Sequence, residues 1–169
     1  MSAIRIRLAE PRDDEAVGEL LVRAFIDKYS QKMPEVRITG ERKASLRAVA
    51  AKRRVATVWV AERDGSVVGT VAMFAVGASG NEAWLPHAVD LRHLAVDASQ
   101  QGQGVSRLLI DTAEGWARAQ GAKVICLHVR RGAVGVRTLY ERRGYVADPT
   151  GDLDQLPHVY LEALALRLT

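Results

Sequence analysis

The sequence predicts an α+β, or mixed α/β, fold in one domain spanning residues 1–169. Three observations carry that expectation. Segments of strict apolar alternation and segments of helical spacing interleave along the chain instead of separating into halves. An Asp64-Gly65 pair sits between two β-rich runs, as a tight hairpin requires. The length of 169 residues is enough for one core and short of two comfortable ones.

The elements follow in order. Residues 4–9, "IRIRLA", alternate and form a first strand. "PRDDEAVGELLVRAFIDKYS" opens on proline and acids, then sets Val17, Leu20, Leu21, Ala24 and Phe25 at helical spacing. "QKMPEVRITG" reads as a loop, with Gly40 as a turn, and "ERKASLRAVAAKR" as a second helix. "TVWVAERDGSVVGTVAMFAV" is the hairpin around Asp64-Gly65, followed by the loop "GASGNEAWLPH". "AVDLRHLAV" is a strand that runs into "DASQQGQG". A helix then carries Val105, Leu108, Leu109, Thr112, Ala113 and Trp116 on one face and stops at Gly121. "KVICLHV" is apolar almost throughout, as in a strand buried on both faces. "GVRTLYERR" is a short helix stopped by Gly144, and "YVAD" and "HVYLEALALRL" close the fold as strands around "PTGDLDQLP". The expected order is β-α-α-β-β-β-α-β-α-β-β.

Composition narrows the function classes. Hydrophobic residues make up 48% and charged residues 26%, which describes a soluble globular chain and argues against global disorder. No run approaches the ~18 apolar residues of a membrane span, and the first residues lack the pattern of a signal peptide. The single cysteine, Cys126, has no disulfide partner in the chain and no thiolate neighbour for a metal site, so a reducing cytoplasm is the expected location. Cys126 as an acyl-carrying nucleophile stands against the commoner buried thiol. The net charge of +4 favours anionic partners. The arginines are scattered among acids, without a polybasic tail or an aromatic-basic stripe, so neither nucleic acid nor membrane is expected as a partner. The four histidines show no metal-site spacing.

The segment "VDASQQGQGVSRLLID" places almost no side-chain bulk between a strand and a helix. A helix N-terminus offers unpaired N–H groups and the positive end of the macrodipole, and glycines let an anion approach the backbone. Together these make a phosphate site. The alternative is a strand-helix turn with no ligand. A Walker A loop needs Gly-Lys followed by Ser or Thr, which "GQGVSR" lacks. The dinucleotide fingerprint needs a third glycine where Arg107 stands and an early position in the chain.

"LAVDASQQGQGVSRLL" followed by "LYERRGYV" closely resembles the GNAT N-acetyltransferase superfamily. That resemblance implies a central, mixed and mostly antiparallel sheet flanked by helices, and acetyl-CoA as the acyl donor. It implies that Leu94, Ala95 and Val96 pair with the pantetheine arm. It also implies that the loop Gln101, Gly102, Gln103, Gly104, Val105 and Ser106, with Arg107, cradles the pyrophosphate. The strand after the helix is expected to splay away and leave a cleft. Tyr140 matches the tyrosine that protonates the departing thiolate and also borders the cofactor; its other role is core packing with its hydroxyl bonded. Two positions depart from the family pattern. Ser106 replaces the last Gly or Ala of the loop, and Ala133 stands where an asparagine is frequent, which removes one hydrogen bond to the cofactor. Arg130 and Arg131 are near enough in sequence to compensate electrostatically.

Two positions match bases found in parts of the family, Asp90 and His128. An imidazole titrates near ~6.5 unperturbed and an aspartate near ~3.9, so His128 needs less tuning. Against these stand a strand histidine held by a backbone carbonyl and a carboxylate at the start of a strand. His93 is read as structural, and His87 and His158 as loop residues. The acceptor, an amine on a small molecule or on a protein or peptide, is expected between "YSQKMPEVRITG" and "ADPTGDLDQLP". In the second of these, Asp148, Asp152 and Asp154 either attract a cationic amine or form a solvated acidic turn. Trp84 is a candidate pocket residue, while Trp59 and Trp116 fit the core. The resemblance leaves room for a homodimer, for a non-catalytic CoA-binding or protein-interaction module on the same fold, and for transfer of a longer acyl group.

Overall fold

The computed structural model describes residues 2–27 and 40–169. One sheet of eight strands runs through it. The strands are β1 (Arg5–Leu8), β2 (Thr57–Arg63), β3 (Ser66–Phe74), β4 (Ala88–Val96), β5 (Val124–Arg130), β6 (Val146–Ala147), β7 (Leu153–Gln155) and β8 (Val159–Arg167). Their order is β1-β2-β3-β4-β5-β8-β6, with β7 also on β8. The β4–β5 pair is parallel and every other pair is antiparallel, so the sheet is mixed and mostly antiparallel, as expected.

Among the described residues there are five α-helices: α1 (Asp14–Val22), α2 (Gly40–Arg47), α3 (Val49–Val55), α4 (Val105–Ala119) and α5 (Val134–Arg142). Leu109, Ile110, Ala113 and Ala117 of α4 pack with Tyr140 of α5 onto one sheet face, against Val71, Leu91, Ile125 and Leu127. Val17, Leu20 and Leu21 of α1, with Leu46 and Val49, cover the other face through Val60 and Ala95. The expected helix at 41–53 is two helices, because Ala48 leaves helical geometry at φ −77°, ψ 53°. Gly40 begins α2 and is not a turn residue. The first helix ends in a π-turn at Arg23–Asp27; the rest of "DKYS" and the expected loop up to Thr39 lie outside the described residues. The turn signals hold: Asp64 and Gly65 both have positive φ (53° and 78°), and Gly121 and Gly144 sit at 75° and 98° just past their helices.

Two details of the sheet create the site. β4 pairs with β5 only from Ala88–Val124 to Leu91–Leu127, and beyond those four pairs the strands part. β4 is also bulged. On β3, Thr70 faces Ala95 while Ala72 faces Arg92, and His93 carries the strain at φ 58°. A bulge bends its strand and sharpens the twist, which carries the second half of β4 away from β5.

Candidate active site

The cleft between the parted strands opens into a cavity of about 1160 Å³. At one side lies the strand-to-helix loop. Gly102 and Gly104 have φ of 76° and 81°, a backbone region that glycine enters without strain. A Cβ on Gly102 would meet nothing, and one on Gly104 would meet only the Arg107 guanidinium at 3.9 Å. No side chain caps α4 at Gly104, and its first helical bond is the one Leu108 N–H donates to Gly104 O. The N–H groups of the first turn therefore retain their donor capacity toward the cleft.

The loop is held from both ends. Asp97 accepts from Ser99 N–H at 3.0 Å and from the Ser99 hydroxyl at 2.7 Å, which lowers its pKa and shapes the turn at Ala98–Gln100. Arg63 donates to Gln100 Oε1 and Gln103 Oε1 at 2.6 and 3.0 Å, tying the loop to the end of β2. The position of α4 depends on Gly69 of β3, where a Cβ would lie 2.9 Å from both Leu109 and Val105.

Leu94, Ala95, Val96, Gln101 and Ser106 line the cavity, as do Asp90, His128, Ala133 and Tyr140. The remaining loop residues stand behind that surface. Val105 is buried in the core under β3, the Gln103 side chain is turned to Arg63, and the Arg107 guanidinium lies 3.9 Å from where a Cβ on Gly104 would stand. Tyr140 is 3% exposed and packs edge-on against Tyr145, with ring centroids 5.3 Å apart. Ala133 is the N-cap of α5 without a capping side chain.

The two candidate bases are held differently. His128 has one nitrogen, Nε2, 2.8 Å from Gly151 O. A carbonyl only accepts, so Nε2 carries the hydrogen in the neutral ring and Nδ1 is the basic nitrogen. The His128 ring lies 5.1 Å from the Trp84 ring, and Trp84 Nε1–H donates to Asp148 at 2.8 Å. Trp84 thus stands behind His128 and presses on Gly151. Asp90 is 1% exposed, and its Oδ2 accepts from Glu82 N–H at 2.9 Å and from Arg92. Burial raises its pKa, and the Arg92 charge opposes that rise. Cys126 is fully buried beside Asp90 on the neighbouring strand, and burial pushes its thiol up to about 11, which suits a packing residue.

None of the loop aspartates is among the described residues that line the cavity. Asp148 accepts from Trp84 and Thr150, Asp152 from the Tyr160 hydroxyl and Ala163 N–H, and Asp154 from Leu156 N–H. Arg42 of α2, Arg92 and His93 of β4 and Arg130 of β5 also line the cavity, together with Glu82, Asp90 and Asp97. From the sequence, Arg130 is expected beside the cofactor and His93 as structural, whereas Arg42 and Arg92 are not singled out. Lys52 Nζ lies 3.1 Å from His93 Nδ1. Of the arginine pair, Arg130 faces the cavity while Arg131 stacks 3.5 Å over the Tyr160 ring. A signal for His93 was present. Val89 and Leu91, then Leu94 and Val96, share one core face, so the alternation slips by one residue at Arg92-His93, which is the mark of a bulge.

Known proteins resemble this chain in sequence and in fold. N-acetyltransferase 8B of Rattus norvegicus is 36% identical over 89 residues, 52% of this chain and 38% of that protein. The Homo sapiens protein of the same name is 32% identical over 87 residues, 52% of this chain and 37% of its own length. The chain thus spans well under half of these relatives. A GNAT-family acetyltransferase from Staphylococcus aureus Mu50 superimposes with a TM-score of 0.76 at 16% identity, over 99% of this chain and 100% of that one. The ribosomal-protein-S18-alanine N-acetyltransferase of Escherichia coli gives 0.70 at 16%, over 99% and 95%. At such identities the likeness is one of fold. The sequence pattern of the acetyltransferase (GNAT) family matches residues 15–145, from α1 through the loop, the parted strands and α5. By that match the chain belongs to the GNAT family of acetyltransferases.

Proposed function

We propose that residues 1–169 act as one N-acetyltransferase domain that moves an acetyl group from acetyl-CoA to an amine. The observation that carries this reading is the continuity of one cavity. It runs from the glycine loop and the first turn of α4, along the unpaired edge of β4, to His128, Asp90 and Tyr140. The residues present suit such a donor. Two positive-φ glycines without Cβ obstruction and an uncapped helix start fit a pyrophosphate, and the free edge at Leu94–Val96 fits an extended chain that carries amides.

Acetyl-CoA would supply an activated thioester. The main-chain N–H groups at the start of α4 hold its diphosphate, with the Ser106 hydroxyl beside them. His128 takes the acceptor's proton at Nδ1, because its Nε2–H is committed to Gly151 O. As the new N–C bond forms and the C–S bond breaks, the Tyr140 hydroxyl gives its proton to the sulfur. Asp90 is the second reading for the base, favoured by the burial that raises its pKa.

The test is free-thiol release from acetyl-CoA and from longer acyl-CoAs across a panel of amines, with acetyl-CoA binding followed by calorimetry on the same sample. Turnover supports the proposal and identifies the acyl length. Binding without turnover on any amine supports the non-catalytic module. In the folded variant Gly104→Val, a β-branched residue at φ 81° is strained, and its side chain fills the cradle. Acetyl-CoA binding should be lost in that variant; undiminished binding refutes the loop assignment.

A further inference from the structure

Two segments far from His128 in the chain meet at its ring: the turn Pro149–Gly151 and the loop of residues 75–87 between β3 and β4. The turn is fastened to β8. Asp148 N–H donates to Ala163 O at 2.9 Å, Ala163 N–H donates to Asp152 Oδ1 at 2.8 Å, and Gly151 N–H donates back to Asp148 O at 3.0 Å. Ala163 is the residue that pairs with His128 across β5 and β8, so the turn is registered to the histidine. The loop is fastened as well. The Asn81 side chain donates to Ala75 O at 2.9 Å and to Ala88 O at 3.2 Å, and it accepts from Ala83 N–H at 2.7 Å. Arg92 donates to Gly80 O at 2.7 Å.

Asp148 joins the two segments. Its Oδ2 accepts from Trp84 Nε1–H at 2.8 Å, and its Oδ1 accepts from the Thr150 hydroxyl at 2.6 Å. The Thr150 hydroxyl and then the Trp84 indole hold its carboxyl below the usual carboxylate range, so both oxygens accept at neutral pH. The bond sets the indole on Gly151, with no room for a Cβ between them, and 5.1 Å from the imidazole.

Resting on the acetyltransferase reading above with His128 as the base, we propose that Asp148 and Trp84 are positioning residues. The carboxylate fixes the indole, the indole and Gly151 O fix the imidazole, and Nδ1 is left as the nitrogen that takes the acceptor's proton. Neither residue is among the described ones that line the cavity, so both act through His128. The need for such a hold is physical. The outer torsion of a histidine is broad and two-fold, and a half-turn of the ring puts a carbon where Nδ1 stood. A base outside hydrogen-bond reach of the amine is no base. When the proton moves from the amine to Nδ1, both ring nitrogens carry hydrogen, and the Nε2–H bond to Gly151 O persists through the transfer.

The experiment measures thiol release from acetyl-CoA, with the acceptor that the amine panel yields, in Asp148→Ala, Asp148→Asn and Trp84→Phe, each alone and combined with His128→Gln. Asp148→Ala and Trp84→Phe should each lower kcat by roughly ten-fold with KM for acetyl-CoA unchanged, because a small displacement of the base spoils its geometry. Asp148→Asn keeps an oxygen for the indole N–H and should recover part of that loss. In the His128→Gln background the same changes should cost nothing further, since a positioning residue is silent once the group it positions is gone. Nitrogen-15 spectra of the histidine-labelled protein, recorded well above the ~6.5 of a free imidazole, should show the His128 hydrogen on Nε2 in the parent and a mixture of tautomers in Asp148→Ala. Equal losses with and without His128 overturn the proposal, as does an unchanged kcat in both Asp148→Ala and Trp84→Phe, or a parent ring protonated at Nδ1. Full turnover in His128→Gln removes His128 as the base and this inference with it, while transfer through Asp90 stands. Absence of acetyl-CoA binding or of turnover in the parent protein removes the acetyltransferase reading itself, and this one with it.

Discussion

Replacing Gly151 by alanine tests how the wall behind His128 is built. A Cβ at Gly151 would lie 2.1, 2.3 and 2.6 Å from Cδ2, Cε2 and Cε3 of Trp84. Carbon atoms pack at roughly 3.5 Å or more, so the indole must retreat by about 1.4 Å or the turn must move off it. The indole has little freedom, because Nε1–H is fixed on Asp148 at 2.8 Å and the ring faces His128. Overpacking of this kind costs about 2 kcal/mol. In a chain of this length that lowers the melting temperature by roughly 4–8 °C. The same shift moves Gly151 O, the partner of His128 Nε2, so turnover should fall with stability. Thermal unfolding followed by circular dichroism gives the first quantity. A cycle with Trp84→Ala isolates the cause, since alanine at 151 should cost almost nothing once the ring is gone. A melting temperature within about 1 °C of the parent, or an equal cost of alanine with and without the indole, would refute the reasoning.

Three further outcomes follow from the same geometry. Tyr140→Phe keeps the ring packed against Tyr145 and removes the proposed acid, so turnover should drop roughly hundred-fold with acetyl-CoA affinity nearly intact; unchanged turnover takes Tyr140 out of the mechanism. Gly115 is exposed in the middle of α4 with open space at its Cβ position, so Gly115→Ala should stabilise the protein by about 0.5–1 kcal/mol in urea unfolding, and a loss of stability would contradict that. Lys52 has a folded-state pKa near 8, below the ~10.4 of an unfolded chain, so between those values the unfolded chain binds more protons and stability rises with pH. Lys52→Met should flatten that rise between pH 8 and 10, and identical pH profiles for the two proteins would count against a depressed lysine.

Much of the architecture could be read from the sequence because it rests on local physics. Alternation, helical spacing and positive-φ glycines mark the strands, helices and stops, and the glycine loop and "LYERRGY" mark two walls of the cavity. The charged end of the cavity was hidden because it is made by long-range contact. Arg42, Arg92 and Arg130 look like solvated surface charges until β4, β5 and α2 bring them to one cavity. His93 escaped because alternation assumes an unbroken pleat, and the bulge breaks it. The "ADPTGDLDQLP" aspartates, Asp148, Asp152 and Asp154, resembled a lure for cations. Their carboxylates instead accept from the Trp84 indole of the β3–β4 loop, the Tyr160 phenol and main-chain N–H groups of their own turn and of β8. Gly69 and Gly151 gave no signal as single letters, yet both mark where a helix or an indole must touch the backbone.

The parting of β4 from β5 also bears on how the protein behaves in a crowded solution. Unpaired strand edges are usually found at the rim of a sheet, where they invite a second chain and need lysine, proline or a bulge for protection. Here a stretch of unpaired backbone lies at Leu94-Ala95-Val96, a segment as apolar as those that seed aggregates, but in the middle of the sheet with four strands on one side and the rest on the other. Ser106 of α4 and Val134, Leu139 and Tyr140 of α5 line the same cavity as this edge, so the edge opens into a recess and not onto the rim of the sheet. An adhesive stretch of backbone is thereby set at the bottom of a cleft, where a slender molecule fits and a whole sheet edge does not lie open.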